Sequence, residues 1–135
     1  MKKLILAIFM VMMLTVSSAF AKKDMILVNK ASANYAYALD FEISTLVESS
    51  IFNVMALKQR YPDYDYKVIV AKLSRLSTDS DMPAVRYKAF LAVNFFKNME
   101  WFGTYDFKNG NSERVFKDIS KKISQLNKIK YINGI

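Results

Sequence analysis

Apolar residues recur at helical spacing through most of the chain. After an uninterrupted apolar run over residues 4–16, they fall three and four positions apart, as in amphipathic helices, and strand-like alternation is scarce. Only three glycines and two prolines punctuate the 135 residues. The pattern therefore predicts an all-α domain with about five helices joined by short connections.

The first two helices are predicted on either side of a polar break at residues 40–42. Residues 28–39 form an alanine-rich first helix. Thr45 and Glu48 have the spacing of a capping box, in which hydroxyl and carboxylate each accept a backbone amide, so a second helix is expected to begin there. Pro62 ends it, because proline disfavours a helical conformation in the residue before it.

Three further helices follow. Asp65 can cap the third, which ends in the polar stretch 77–81, and Pro83 suits the first turn of the fourth, where its missing amide costs little. Residues 85–98 are the most apolar part of the chain after residue 21, so the fourth helix is expected to be central. After the turn residues 109–111, the last helix is predicted over 112–130. The apolar stripes of the third and last helices are Tyr66, Ile69, Val70, Leu73 and Leu76, and Val115, Phe116, Ile119, Ile123 and Leu126.

The chain also contains an internal repeat. Residues 47–52 align with residues 85–90, and residues 66–76 align with residues 116–126, while residues 101–111 are an aromatic insertion. We therefore predict two helix pairs, over about residues 45–77 and 82–126. Such pairs leave apolar faces that only a neighbouring pair can cover.

The spacing Asp81-x-x-x-Val85-Arg86-x-x-Ala89-x-x-Ala92 resembles the first helix of HEAT-type repeats. The resemblance implies antiparallel helix pairs in a right-handed stack, or a small helical bundle, whose second helices line a concave and usually protein-binding surface. The first unit departs from it, since Glu48 stands where the second has Arg86. Two units are also fewer than the roughly three that a stable array needs, and residues 28–39 are candidates for the missing cover. The chain is similar as well to small exported bacterial proteins, and that similarity implies no activity.

Residues 1–21 have the layout of a secretory signal peptide. Lys2 and Lys3 precede an apolar run of about 13 residues, which spans only about 20 Å as a helix, and the segment ends in Ala19-Phe20-Ala21. We expect cleavage near Ala21, with Ser18 as an alternative, leaving one domain over residues 22–135 in the periplasm or outside the cell. The absence of cysteine excludes disulfides and a lipidated cysteine.

Charge narrows the class of partner. The chain has 20 basic and 12 acidic residues, a formal net charge of +8. In an exported protein this charge suits an acidic protein, a glycan or an anionic lipid surface, and it also favours solubility. We expect a protein or another acidic envelope component as partner rather than nucleic acid, and the sequence leaves the oligomeric state open.

The absence of histidine and cysteine removes the commonest general base, the thiol nucleophile and most zinc or copper ligands. We expect no catalytic residue, no cofactor and no metal site. Asp63 and Asp65 are interpreted as turn and cap residues, and Asp79-Ser80-Asp81 lacks the glycine and glutamate of a calcium loop. A carboxylate-dependent glycan hydrolase, with two carboxylates about 5–10 Å apart, is the remaining enzymatic alternative.

The candidate binding surface combines cations of the third and last helices with aromatic residues of the insertion. Its members are Lys67, Lys72, Arg75, Trp101, Phe102, Tyr105, Lys117, Lys121 and Lys122. If the two helices lie side by side, their cations form one positive groove. Tyr61, Tyr64 and Tyr66 could stack on a ligand, but core or loop packing is the favoured interpretation.

We therefore predict an exported, non-enzymatic binding or scaffold module of unknown partner. The alternative is a peripheral envelope protein that docks its basic last helix on an anionic membrane, through Lys117, Lys121, Lys122 and Lys128.

Overall fold

The computed structural model describes residues 21–134, so the predicted signal peptide lies outside the described residues apart from Ala21. The chain divides into two compact units after Ala31. Of the first unit, residues 21–31 are described, and they are helical. The second unit begins at Ser32 and contains the remaining helices.

Every regular element between residues 21 and 134 is a helix, which confirms the predicted all-α class. The elements are α1 (residues 21–38), α2 (Ser44–Arg60), α3 (Lys67–Asp79), α4 (Pro83–Lys97), a 3₁₀ turn (Met99–Trp101) and α5 (Ser112–Ile132).

Two helix starts differ from the prediction. Residues 21–27 are already helical, so the first helix does not begin at residue 28 as predicted, and neither glycine nor proline interrupts that stretch. α2 begins at Ser44, with Ile43 as an N-cap that makes no side-chain cap hydrogen bond. Glu48 instead accepts a hydrogen bond of 2.5 Å from the Ser44 hydroxyl. The predicted capping box of Thr45 and Glu48 is therefore wrong.

The other predicted boundaries are close to those observed. α2 ends just before the Tyr61-Pro62 break, and Pro83 opens α4. Asp65 accepts the amide of Lys67 at 3.0 Å at the start of α3. At α5 the side chain of Asn111 accepts two amides, from Glu113 and Arg114. These side chains stabilise helix starts by occupying amides that have no partner within the helix.

α4 is the central helix, as its apolar sequence predicts. Its buried residues lie on more than one face: Val85, Ala89, Leu91, Ala92, Phe95 and Phe96. α3 and α2 both pack closely on α4, and α5 packs on it less extensively. The arrangement is compatible with a small antiparallel helical bundle. The two helices of the first predicted unit, α2 and α3, each pack more closely on α4 than on one another.

Tyr66 belongs to the core, which confirms the packing interpretation for this member of the tyrosine group. Its side chain is 5% exposed, and its ring lies 5.4 Å from the ring of Phe96 in an edge-on contact. The hydroxyl lies 2.9 Å from the carbonyl oxygen of Tyr61 and 3.0 Å from that of Leu57. Tyr66 therefore fills the core and supplies a donor to carbonyl groups at the end of α2.

Candidate functional site

The aromatic insertion between α4 and α5 folds onto the core. Phe102 is 1% exposed, and its ring centroid lies 5.8 Å from that of Phe95. The ring centroid of Phe107 lies 6.1 Å from that of Phe95 and 5.1 Å from that of Phe52. The prediction that Phe102 contributes a side chain to the binding surface is therefore wrong. Its ring is packed in the core, where removing apolar area from water stabilises the fold. Trp101 remains partly exposed, with Lys130 5.5 Å above its ring.

Polar side chains of α2 and α5 form hydrogen bonds with the same insertion. Gln59 bonds to both backbone groups of Tyr105. On the other side, Lys122 donates to the carbonyl oxygen of Phe102 at 2.7 Å and lies 3.2 Å from Asp118. The Tyr105 hydroxyl donates to Asp118 at 2.7 Å. Lys122 and Tyr105 thus hold the insertion in place, although the sequence suggests them as contact residues.

These contacts shift two pKa values in opposite directions. Burial, together with the hydrogen bond to Asp118, raises the pKa of Tyr105. The hydrogen bond from Tyr105, with a further contribution from Lys122, lowers the pKa of Asp118. Asp118 therefore remains a carboxylate that accepts hydrogen bonds, and its charge is balanced within the protein.

The predicted surface cations of α3 contact local carboxylates. Arg75 donates to Asp40 at 2.9 Å, and Lys72 donates to the other oxygen of the same carboxylate. The hydrogen bond from Lys72 is the main cause that lowers the pKa of Asp40. Lys67 is exposed and lies 3.7 Å from Asp65. Because α3 and α5 each pack on α4 rather than closely on one another, a single groove shared by their cations stays a prediction.

The cations of α5 form a row along its exposed side, which we call the basic stripe: Arg114, Lys117, Lys121 and Lys128. At 100° per residue they fall within an arc of about 60° and extend over about 21 Å. The buried side chains of α5, such as Phe116 and Ile119, face the opposite direction. Among the described residues, no carboxylate forms an ion pair with any of the four cations.

A surface groove of about 750 Å³ runs beside the first half of the basic stripe. Residues 104–106 and 109–111 line it from the insertion, and α5 contributes Arg114, Val115, Lys117, Asp118 and Lys121. The groove therefore brings together three predicted surface residues, Tyr105, Lys117 and Lys121. It adds Arg114, which the sequence analysis missed although its spacing from Lys117 and Lys121 places it on the same helix face.

The C-terminal turn of α5 exposes three large apolar side chains, which we call the apolar tip. Ile129, Tyr131 and Ile132 are 54%, 89% and 79% exposed. Ile132 projects in the same direction as the basic stripe, and the other two flank it, at 100° per residue. The stripe thus ends in apolar rather than polar side chains.

A smaller cleft of about 360 Å³ contains two carboxylates bridged by a lysine. Lys88 of α4 donates to Glu48 of α2 at 2.7 Å and also to Glu113 of α5. Hydrogen bonds from Lys88 and then Ser44 lower the pKa of Glu48. Burial alone would lower the pKa of Lys88, but its bonds to Glu113 and Glu48 raise it. A glycosidase acid needs a raised carboxyl pKa, so the shift at Glu48 does not favour glycan hydrolysis.

Residues 21–134 contain neither a cluster of metal ligands nor a membrane-spanning helix. No group of three or more acidic side chains there is arranged to hold a metal ion. None of the helices in this part of the chain combines the length and the apolar character needed to span a bilayer.

Comparison with known proteins adds no family assignment. No protein-family model, curated protein or solved structure matches the chain. Function must therefore be inferred from the side chains of α5 and the insertion.

Proposed function

We propose that this protein is a non-enzymatic binding module that holds an anionic partner along the basic stripe of α5. The observation that carries the proposal is the row of four exposed cations within about 60° of arc, none of which forms an ion pair in the described part of the chain. A row of like charges attracts an oppositely charged surface and repels other copies of itself.

Three lysines outside the stripe differ from it in their surroundings. Lys72, Lys88 and Lys122 each contact a carboxylate. Asp118 of α5 also interacts electrostatically with Lys121, but its oxygen already accepts from Tyr105 and lies beside Lys122. The charge of the basic stripe is therefore available to a partner.

The support beneath the stripe is rigid enough to present it as a unit. Asn111 caps the first turn of α5, and the side chains of Gln59 and Lys122 fasten the insertion beside it. A preorganised surface loses less conformational entropy on binding than a flexible one. The predicted secretory signal at residues 1–21 leads us to propose that the partner is met after export.

The test compares two variants of equal net charge. In the first, Arg114, Lys117, Lys121 and Lys128 are replaced by glutamine. In the control, one arginine and three exposed lysines outside the stripe are replaced by glutamine: Lys23, Lys30, Arg60 and Lys97. Binding is measured by titration with heparin, a soluble polyanion.

We expect the stripe variant to bind heparin about tenfold more weakly than the parent, since exposed ion pairs contribute about 0.2–1 kcal/mol each. The control should stay within about twofold of the parent. Equal weakening in both variants would show that only net charge matters, and the proposal would then be rejected.

A further inference from the structure

The apolar tip distinguishes α5 from a helix that is simply basic. Tyr131 and Ile132 are 89% and 79% exposed, and Ile129 is 54% exposed. Exposing three adjacent large apolar side chains to water costs free energy in proportion to their apolar area. Their position at the end of the stripe indicates a partner that offers both negative charge and an apolar region.

The direction of these side chains agrees with that requirement. Eighteen residues make five helical turns, so Ile132 projects along the same line as Arg114. Ile132 also lies only about 6 Å further along the axis than Lys128. One flat surface can therefore contact the four cations and Ile132 at the same time, with Ile129 and Tyr131 about 60° and 100° to either side of Ile132.

We infer that this partner is the surface of an anionic lipid bilayer, an inference that rests on the function proposed above and names its partner class. The cations of the basic stripe lie at the level of the lipid headgroups, where each contributes about 1 kcal/mol. Tyr131 and the two isoleucines enter the boundary between headgroups and acyl chains, a region that tyrosine favours. A soluble acidic peptide or glycan would use the cations and leave the tip in water.

The orientation of α5 limits how deeply it can enter the bilayer. Its main apolar face, which includes Val115, Phe116, Ile119 and Ile123, is buried in the protein core. Only the tip is free to insert, so the helix lies on the surface. The electrostatic contribution of the stripe to the binding free energy should consequently be large and should weaken as salt is added. The apolar contribution of the tip should be smaller and should not be screened by salt.

The experiment measures co-sedimentation of the purified protein with vesicles of phosphatidylcholine alone or mixed with phosphatidylglycerol. Heparin is the soluble control ligand. A tip variant replaces Ile129, Tyr131 and Ile132 by serine. Its matched control replaces another exposed tyrosine and two exposed aliphatic residues by serine: Tyr37, Ile43 and Leu46.

We expect the protein to bind anionic vesicles at least tenfold more tightly than neutral ones. The tip variant should lose about fivefold or more on anionic vesicles and nothing on heparin, whereas its control should match the parent on both.

The outcomes separate the two proposals. Stripe-dependent heparin binding without a preference for anionic vesicles, or with a tip variant that binds them like the parent, would overturn the lipid inference and retain an anionic partner of another class. Equal binding to neutral and anionic vesicles would also overturn it. If the stripe variant binds every probe as the parent does, both proposals fail.

Discussion

Gln59 pairs with the backbone of Tyr105 much as a neighbouring strand would. Its side-chain nitrogen donates to the Tyr105 carbonyl oxygen and its side-chain oxygen accepts the Tyr105 amide, both at 2.8 Å. One side chain of α2 therefore satisfies both backbone polar groups of one residue in the insertion. The partners are far apart in sequence, so the contact closes a long loop.

Replacing Gln59 by alanine should lower the free energy of unfolding by about 2–3 kcal/mol. Two hydrogen bonds are lost, and the amide and carbonyl groups of Tyr105 become partly buried without a protein partner. Gln125→Ala removes an exposed glutamine of α5 and should change stability by less than about 0.5 kcal/mol. Urea unfolding measures both. Similar losses in the two variants would mean that the Gln59 contact does not stabilise the fold.

The adjacent residues Lys121 and Lys122 should separate binding from stability. Lys122→Met removes the bond to the Phe102 carbonyl and the contact with Asp118, so we expect a loss of about 1–2 kcal/mol. Lys121→Met should leave stability nearly unchanged but weaken heparin binding, because Lys121 belongs to the basic stripe. Thermal unfolding and heparin titration on both variants check this. The reverse pattern would contradict the assignment of the two lysines.

Removing Lys88 should alter the pH dependence of stability. The pKa of Glu48 is lowered from its usual 4.5, so its contribution is present above that pH and is lost as the pH falls through the folded-state value. Lys88→Met should cost about 2 kcal/mol at neutral pH, and the difference from the parent should narrow below about pH 4.5.

Urea unfolding across the acid range tests the Lys88 prediction. Lys67→Met is the matched control, because Lys67 is exposed and lies beside Asp65 in an open ion pair. It should follow the parent at every pH. A Lys88→Met deficit that stays constant from neutral to acid pH would show that packing, rather than the carboxylates, causes the loss.

Gly110 should tolerate no side chain. A Cβ atom there would lie 2.0 Å from the backbone carbonyl oxygen of Asp106, which accepts the Gly110 amide at 2.8 Å. Gly110→Ala must therefore open the turn, at a cost of about 1–3 kcal/mol. Lys108→Ala in the same turn adds no such clash and should be nearly neutral. Differential scanning calorimetry compares them, and equal melting temperatures would contradict the close approach.

Helix positions were accessible from sequence because they depend on local patterns. The apolar stripe that includes Ile119 and Ile123, the Pro83 start and the break at Pro62 all appear in the structure. The start of α2 was misplaced because Ser44 and Thr45 both have hydroxyl groups that could occupy a first turn. Only the fold shows that Glu48 bonds to Ser44 and Lys88.

The candidate surface was harder to predict because it depends on contacts between distant residues. Spacing along α5 identifies Lys117 and Lys121 as exposed, but it cannot show that Lys122 bonds to Phe102. Likewise, nothing local indicates that Lys72 and Arg75 share Asp40. Arg114 could have been included from helical spacing alone. The sequence resemblance to HEAT-type repeats stays a prediction.

The burial of Phe102 has a consequence for how the insertion opens. Its ring lies in the core while Lys122 holds its carbonyl group, so residues 102–105 cannot detach without exposing Phe95. Local fraying of this segment is therefore coupled to cooperative unfolding of α4 and α5. In native-state hydrogen exchange, the Tyr105 amide should exchange as slowly as amides in the middle of α4, unlike those of an ordinary surface loop.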